Sequence, residues 1–108
     1  DIAYEATMEI IKKVPQLSGI YHCGGGISGA IAALDQTNRS RDIVYICHDE
    51  TVHVTNGLIN GSVDLSIANP TREIAEKTIE TILNYLLSSR KERIKTTVPF
   101  KILTSENI

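Results

Sequence analysis

The sequence predicts an α/β fold, a parallel sheet with helices on both faces. Two observations predict it. Helical and strand-like segments alternate along the chain in the order α-β-α-β-α-β-α-β, and such alternation builds a parallel sheet through right-handed crossovers. The run Ile43, Val44, Tyr45, Ile46, Cys47 is almost continuously apolar, as expected of a strand covered on both faces.

The elements follow in order. Residues 3–14 place Tyr4, Thr7, Met8, Ile11 and Val14 on one face of an amphipathic helix, which Pro15 stops. Residues 17–23 form an apolar run rich in β-formers, followed at once by Gly24, Gly25 and Gly26. Helical spacing returns over 27–36, with Ile27, Ala30, Ile31 and Leu34 on one stripe, and residues 38–42 make a polar loop. After the strand at 43–47, His48, Asp49, Glu50 and Thr51 read as a strand exit and a helix start. A short helix over 54–59 ends at Asn60-Gly61. Residues 63–68 alternate as a strand. Asn69, Pro70 and Thr71 open the strongest helix, whose stripe includes Ile74, Ile79, Ile82, Leu83, Leu86 and Leu87. Pro70 is expected at its first helical position, with Asn or Thr as the cap. Residues 94–103 look extended but are interrupted by Pro99, which suits an edge or irregular strand. The strands at 17–23, 43–47 and 63–68 should be parallel neighbours.

Composition narrows the function classes. The chain has 108 residues, 42% hydrophobic and 22% charged, enough for one domain that buries about 65% of its unfolded surface. This excludes a disordered tail and a disulfide-stapled miniprotein. A net charge of -2 with no basic block argues against a nucleic-acid surface in this segment. No apolar run approaches the roughly 20 residues that span a bilayer, and no membrane partner is expected. No signal peptide opens the chain, and its start at Asp1 suggests a piece of a longer protein. Cys23 and Cys47 each close an apolar run without CxxC spacing. They are expected as buried free thiols in a reducing compartment, which points to the cytoplasm.

In parallel sheets ligands bind beyond the carboxyl ends of the strands. Those ends are Cys23-Gly24, His48-Asp49 and Asn69. Gly24, Gly26 and Gly29 fit GxGxxG between a strand and a helix, with Asp49 after the next strand, so a dinucleotide-binding enzyme domain is one alternative. Against it, a helix precedes the first strand and the sheet is too small for both halves of such a fold. A glycine turn that reverses a strand into a helix explains the same residues. His22, Cys23, Cys47, His48, Asp49 and His53 are metal-ligand types, but side chains alternate along a strand, so His22 and Cys23 diverge, as do Cys47 and His48. No metal and no cofactor are expected. A Cys/His hydrolase lacks the turn that would expose its nucleophile, and the protein is not expected to be an enzyme. Asp49 and Asn69 form a different pattern. A carboxylate accepts two hydrogen bonds and an amide donates and accepts, which suits the gripping of sugar hydroxyls. Both residues also suit helix capping.

The strand ends carry a family resemblance. IYHCGGGISGAIAAL, DIVYICHDET and GLINGSVDLSIANP, followed by a long amphipathic helix, resemble the C-terminal part of the sugar-binding domain of the lac repressor family, a domain shared with periplasmic sugar-binding proteins. The resemblance covers essentially the whole chain. It implies a three-layer, flavodoxin-like lobe of a periplasmic-binding-protein-like fold, truncated here. Residues 1–69 would be the later part of the C-terminal lobe, 70–93 a crossing helix of the N-terminal lobe, and 94–108 the returning strand and tail. It also implies ligand contacts from Asp49, at the end of the second strand, and from Asn69, before the crossing. The family usually ends its first strand with Asn-Asp. Cys23-Gly24-Gly25 stands there instead, so the glycine amides or His22 would replace that contact, with His48 beside Asp49. The implied protein is a bacterial transcriptional regulator that senses a sugar or similar metabolite. It would be a homodimer, touching DNA only through a headpiece absent from this chain. The alternative is the sugar-binding protein of an ABC-type transporter. Loss of lobe partners would leave the edge of strand 17–23 and Ile79, Leu83 and Leu86 uncovered, favouring self-association.

Overall fold

The computed structural model describes residues 1–108. Its elements run α1 (Ile2–Lys13), β1 (Gly19–His22), α2 (Ile27–Gln36), β2 (Val44–His48), α3 (Val52–Asn60), β3 (Leu65–Ala68), α4 (Thr71–Leu87) and β4 (Lys101–Leu103). The strands form one sheet in the order β1-β2-β3-β4. β1 pairs parallel with β2 (Gly19 opposite Val44, His22 opposite Cys47), and β2 pairs parallel with β3 (Ile46 opposite Leu65, His48 opposite Ile67). The predicted α/β class and the three parallel neighbours are both present.

Local chemistry sets the boundaries. Asp1 caps α1 through its carboxylate, which accepts from the Ala3 amide at 3.0 Å. Lys12 and Lys13 in the last turn complement the helix dipole. The helix ends just short of Pro15, because a proline disfavours helical backbone in the residue before it. Thr51 caps α3, and Gly61 closes it at φ +85 with its amide on the Gly57 carbonyl. β3 starts two residues later than the alternation suggested. The Val63 amide is spent on the Gly57 carbonyl, and Asp64 makes a fork with Tyr45. In that fork the Tyr45 amide donates to Asp64 Oδ2 at 2.8 Å, and the Asp64 amide donates to the Tyr45 carbonyl at 3.0 Å.

The chain divides into two compact units, Asp1–Ala68 with Ile102–Ile108, and Asn69–Lys101. In the first, α1 to α3 bring Ile11, Ile31, Leu34, Val54 and Leu58 to one core with Tyr45, Cys47 and Ala68 of the sheet. Leu103 of β4 joins them. Side chains alternate along the strands, so this core occupies one sheet face. The other face carries Tyr21 and Val44, which are 61% and 51% exposed, along with the half-buried Ile46, His48, Leu65 and Ile67.

In the second unit, α4 runs 17 residues with no buried residue, and Ile79, Ile82, Leu83 and Leu86 are exposed. Pro70 occupies the cap position rather than the first helical one, and no side chain caps the helix. Its far end is closed by Lys91, whose Nζ donates to the Tyr85 and Leu86 carbonyls and lies 4.9 Å from the Tyr85 ring centre. Of the expected extended stretch at 94–103, only β4 is a strand. Pro99 has no amide to donate to a ladder, and the residues before it form no regular element.

Candidate functional site

The carboxyl ends of β1 and β2 meet within the first unit. β1 gives way to Cys23 and the glycine turn, and α2 begins at Ile27. Gly26 stands at the cap position of α2 at φ +90, and a Cβ there would lie 2.4 Å from that of Ala3. Gly29 is nearly as crowded, since its added Cβ would stand 2.5 Å from Oδ2 of Asp1, the cap of α1, and 3.0 Å from the Tyr4 amide nitrogen. Two glycines of the GxGxxG pattern are thus accounted for by the approach of α1 to α2. Gly24 and Gly25 have open space around them instead. Nothing caps the first turn of α2 through a side chain, so its amides face outward as hydrogen-bond donors.

Both ring nitrogens of His22 are engaged. Nε2 lies 3.0 Å from the Gly25 carbonyl, and Nδ1 lies 2.7 Å from the Tyr45 hydroxyl. Tyr45 is fully buried. Burial, helped by the nearby Cys47, raises its hydroxyl pKa well above the ordinary tyrosine value. His48 projects from the other sheet face, where its Nε2 lies 2.6 Å from the Tyr21 hydroxyl and the rings meet edge-on.

The two cysteines part company. Cys47 is buried, its sulfur 3.7 Å from Ser66 Oγ, whereas Cys23 is exposed, contrary to the expectation that both thiols are buried. Cys23 lies one residue past β1, beyond the cover of the core. Burial pushes the Cys47 thiol pKa up, the contact with Ser66 Oγ lowers it by less, and Asp49 adds to the rise.

Asp49 is the most constrained of the expected residues. It is exposed and sits at φ +114, a region that side-chain-bearing residues enter at a cost of about 1–3 kcal/mol. Its surroundings hold it there. The Asp49 amide donates to the Ile67 carbonyl at 3.1 Å, and Ser66 Oγ donates to the Asp49 carbonyl at 2.6 Å. Its own Oδ1 accepts from the Glu50 amide at 2.8 Å. Asp49 does not cap α3, because Thr51 does. A cavity of about 180 Å³ lies between Asp49 and the glycine turn, completed by Ile27, Ser28, Thr51 and His53. Ser28 and His53 were absent from the expected site. Each is the second residue of a helix that follows a strand end, and that position was the available signal. Asn69 is exposed and opens the second unit.

The cavity therefore offers a carboxylate acceptor, hydroxyl and imidazole groups, and outward amide donors. It is equipped for hydrogen bonding to a polyhydroxylated ligand. No group of three or more His, Cys, Asp and Glu side chains is placed to hold a metal ion, and no helix is long and apolar enough to cross a membrane.

No protein-family model and no curated protein matches the chain. Solved structures do. A glucose-galactose binding protein from Geobacillus stearothermophilus superposes with a TM-score of 0.87 at 17% identity, over 98% of this chain and 38% of that one. An ABC transporter solute-binding protein from Agrobacterium vitis with bound D-fucose gives 0.85 at 21% identity, over 97% and 36%. A proposed LacI transcriptional regulator from Bacteroides fragilis gives 0.79 at 18% identity, over 95% and 36%. The chain thus shares its fold with part of each of these proteins, and spans less than half the length of each.

Proposed function

We propose that the chain is part of the effector-binding, dimer-forming domain of a bacterial transcriptional regulator that senses a sugar or similar small metabolite, and that it binds its ligand without transforming it. The observation that carries this reading is Asp49, a strained and exposed carboxylate held at a strand end opposite a glycine turn. Strain of this kind persists where the surrounding structure imposes it, and it clusters at ligand clamps. A carboxylate facing outward amides suits paired hydroxyl groups.

The cavity of about 180 Å³ is smaller than the roughly 300 Å³ from which small-molecule pockets start. In this reading it is one wall of a cleft. Residues 1–69 belong to one lobe, 70–93 cross to the other, and 94–108 return. Ligand closing the cleft selects one lobe arrangement and so alters the spacing of two DNA-binding modules in the dimer. The structural likeness to the Bacteroides fragilis protein and the two free thiols favour a cytoplasmic regulator. The likeness to the Geobacillus and Agrobacterium proteins favours the second reading, a transporter's binding protein. A helix-turn-helix encoded upstream decides for the first, a secretory signal for the second.

Calorimetric titration of mono- and disaccharides tests the ligand reading. In the complete two-lobed domain, Asp49→Ala should weaken binding by about 1.5–3 kcal/mol, the worth of a hydrogen bond to a charged group, and Asn69→Ala by less. Unchanged affinity in both variants sinks the assignment. The 108-residue chain alone should bind more weakly than micromolar, because one wall cannot offset the roughly 4–15 kcal/mol of lost motional freedom. Micromolar binding by the chain itself would put the whole site within these residues.

A further inference from the structure

His22 has no free ring nitrogen with which to meet a ligand, and the way its nitrogens are used suggests a different task. The Gly25 carbonyl can only accept, so His22 Nε2 must carry the proton of that bond. In the neutral ring Nδ1 is then an acceptor, and the Tyr45 hydroxyl donates to it. Tyr45 is fixed in turn. It is fully buried, its ring meets that of His22 edge-on at 6.1 Å, and its amide is held by the Asp64 carboxylate. The chain of contacts runs from the core through Tyr45 and His22 to Gly25. Gly25 has no Cβ and nothing within 4 Å of where one would be, so no packing contact at that position holds the turn. Gly26, by contrast, is wedged against Ala3.

We propose that His22 is a positioning residue. It ties Gly25 of the glycine turn to the buried Tyr45 hydroxyl and so fixes the direction in which that part of the turn faces the Asp49 cavity. The benefit to a sugar ligand rests on the function proposed above, whereas the tie itself does not. A ligand that must be matched by several hydrogen bonds gains from a wall that is already ordered, since ordering a loop on binding lowers affinity.

Nuclear magnetic resonance on the isotope-labelled 108-residue chain tests the tie without any sugar. The nitrogen shifts of His22 should show the proton on Nε2, and Tyr45→Phe should convert this to a mixture of tautomers. The backbone order parameters of Gly24 and Gly25 should lie near the rigid value of about 0.85 and fall toward 0.6 in His22→Ala. His22→Gln, whose side-chain amide can still donate to the Gly25 carbonyl, should restore them. A proton on Nδ1 in the parent chain, or unchanged glycine order in His22→Ala, overturns the proposal. In the complete two-lobed domain, D-galactose or D-glucose affinity should drop about tenfold in His22→Ala and recover in His22→Gln. Affinity untouched by His22→Ala overturns the positioning role. If no mono- or disaccharide binds the parent domain, it is the sugar reading that fails, and the resonance measurements still decide the tie.

Discussion

Replacing Asp49 with glycine separates its backbone from its carboxylate. Glycine enters φ +114 without steric cost, relieving strain of about 1–3 kcal/mol, against about 0.5–1 kcal/mol for the freer unfolded chain. Both Asp49→Gly and Asp49→Ala lose the Oδ1 bond to the Glu50 amide, so Asp49→Gly should be the more stable of the two by about 1 kcal/mol in urea unfolding. Asp49→Ala keeps the strain, loses that bond and should lower stability. If both variants lose stability equally, the φ angle stores no strain. The thiols give a second test at the same scale. One equivalent of a thiol reagent should react with native protein, at exposed Cys23, and the second only after unfolding. Folding holds Cys47 and Tyr45 protonated beyond their ordinary ranges. The unfolded chain therefore binds fewer protons at alkaline pH. The stability these groups contribute is complete below about pH 8 and declines as pH rises through their unfolded values, near 8.5 and 10. Urea midpoints measured from pH 8 to 11 should fall, and Tyr45→Phe should flatten the upper part of that decline. Of these residue-level features, Asp49 was legible as a strand-end carboxylate. Its φ was not, because it depends on partners from β3. The engagement of His22 was equally hidden, since it requires Tyr45 to be delivered by a different strand.

At the scale of elements, the meeting of α1 and α2 turns on glycine. A methyl group on Gly26 collides with Ala3 and must also occupy φ +90. Gly26→Ala should cost about 1–3 kcal/mol, the usual range for overpacking, read as a lowered urea midpoint. Gly24→Ala, with open space around it, should cost little. An equal loss for the two would mean that contact with α1 does not explain Gly26. Helices were the more legible elements in the sequence. The Ile27, Ala30, Ile31, Leu34 stripe located α2 at the bounds it has, because burial and helical period coincide there. The strands at 17–23 and 63–68 were predicted too long, since apolarity begins at Leu17 and Val63 before the chain joins the ladder, whereas the strand at 43–47 lies one residue later at the same length. The expected cap at Asn69 failed for a related reason. Its side chain suits capping, yet no side-chain bond forms at the start of α4.

For the whole molecule, the two units differ in what holds them. The first has a core in which Tyr45, Leu34, Val54 and Leu58 are almost wholly inaccessible. The second is built on a helix with no buried residue, and most of a helix's stability in a protein comes from packing of its apolar face. Amide hydrogen exchange should therefore be fast along Thr71–Leu87 and slow at Tyr45 and Cys47, in one sample under one condition. Equal protection in both units would show that α4 is stabilised as firmly as the sheet. The sequence made α4 the strongest helix on periodicity alone. Periodicity reports an apolar stripe and is silent about whether anything lies against it.

The fork between Asp64 and Tyr45 acts as an alignment mark between two strands. Alternating burial forbids a slip of one residue, because it would turn every side chain over. It discriminates less well against a slip of two, which keeps each side chain on its own face. The fork closes that gap. Asp64 Oδ2 and the Asp64 amide can grip Tyr45 only when the two residues stand side by side, and a two-residue slip would carry them roughly 6.6 Å apart. Since Ser66 and Ile67 hold Asp49 by its backbone, the same mark sets the height at which that carboxylate emerges above the sheet. A side chain at the beginning of β3 thus calibrates a group at the end of β2, and the ladder between them is the ruler.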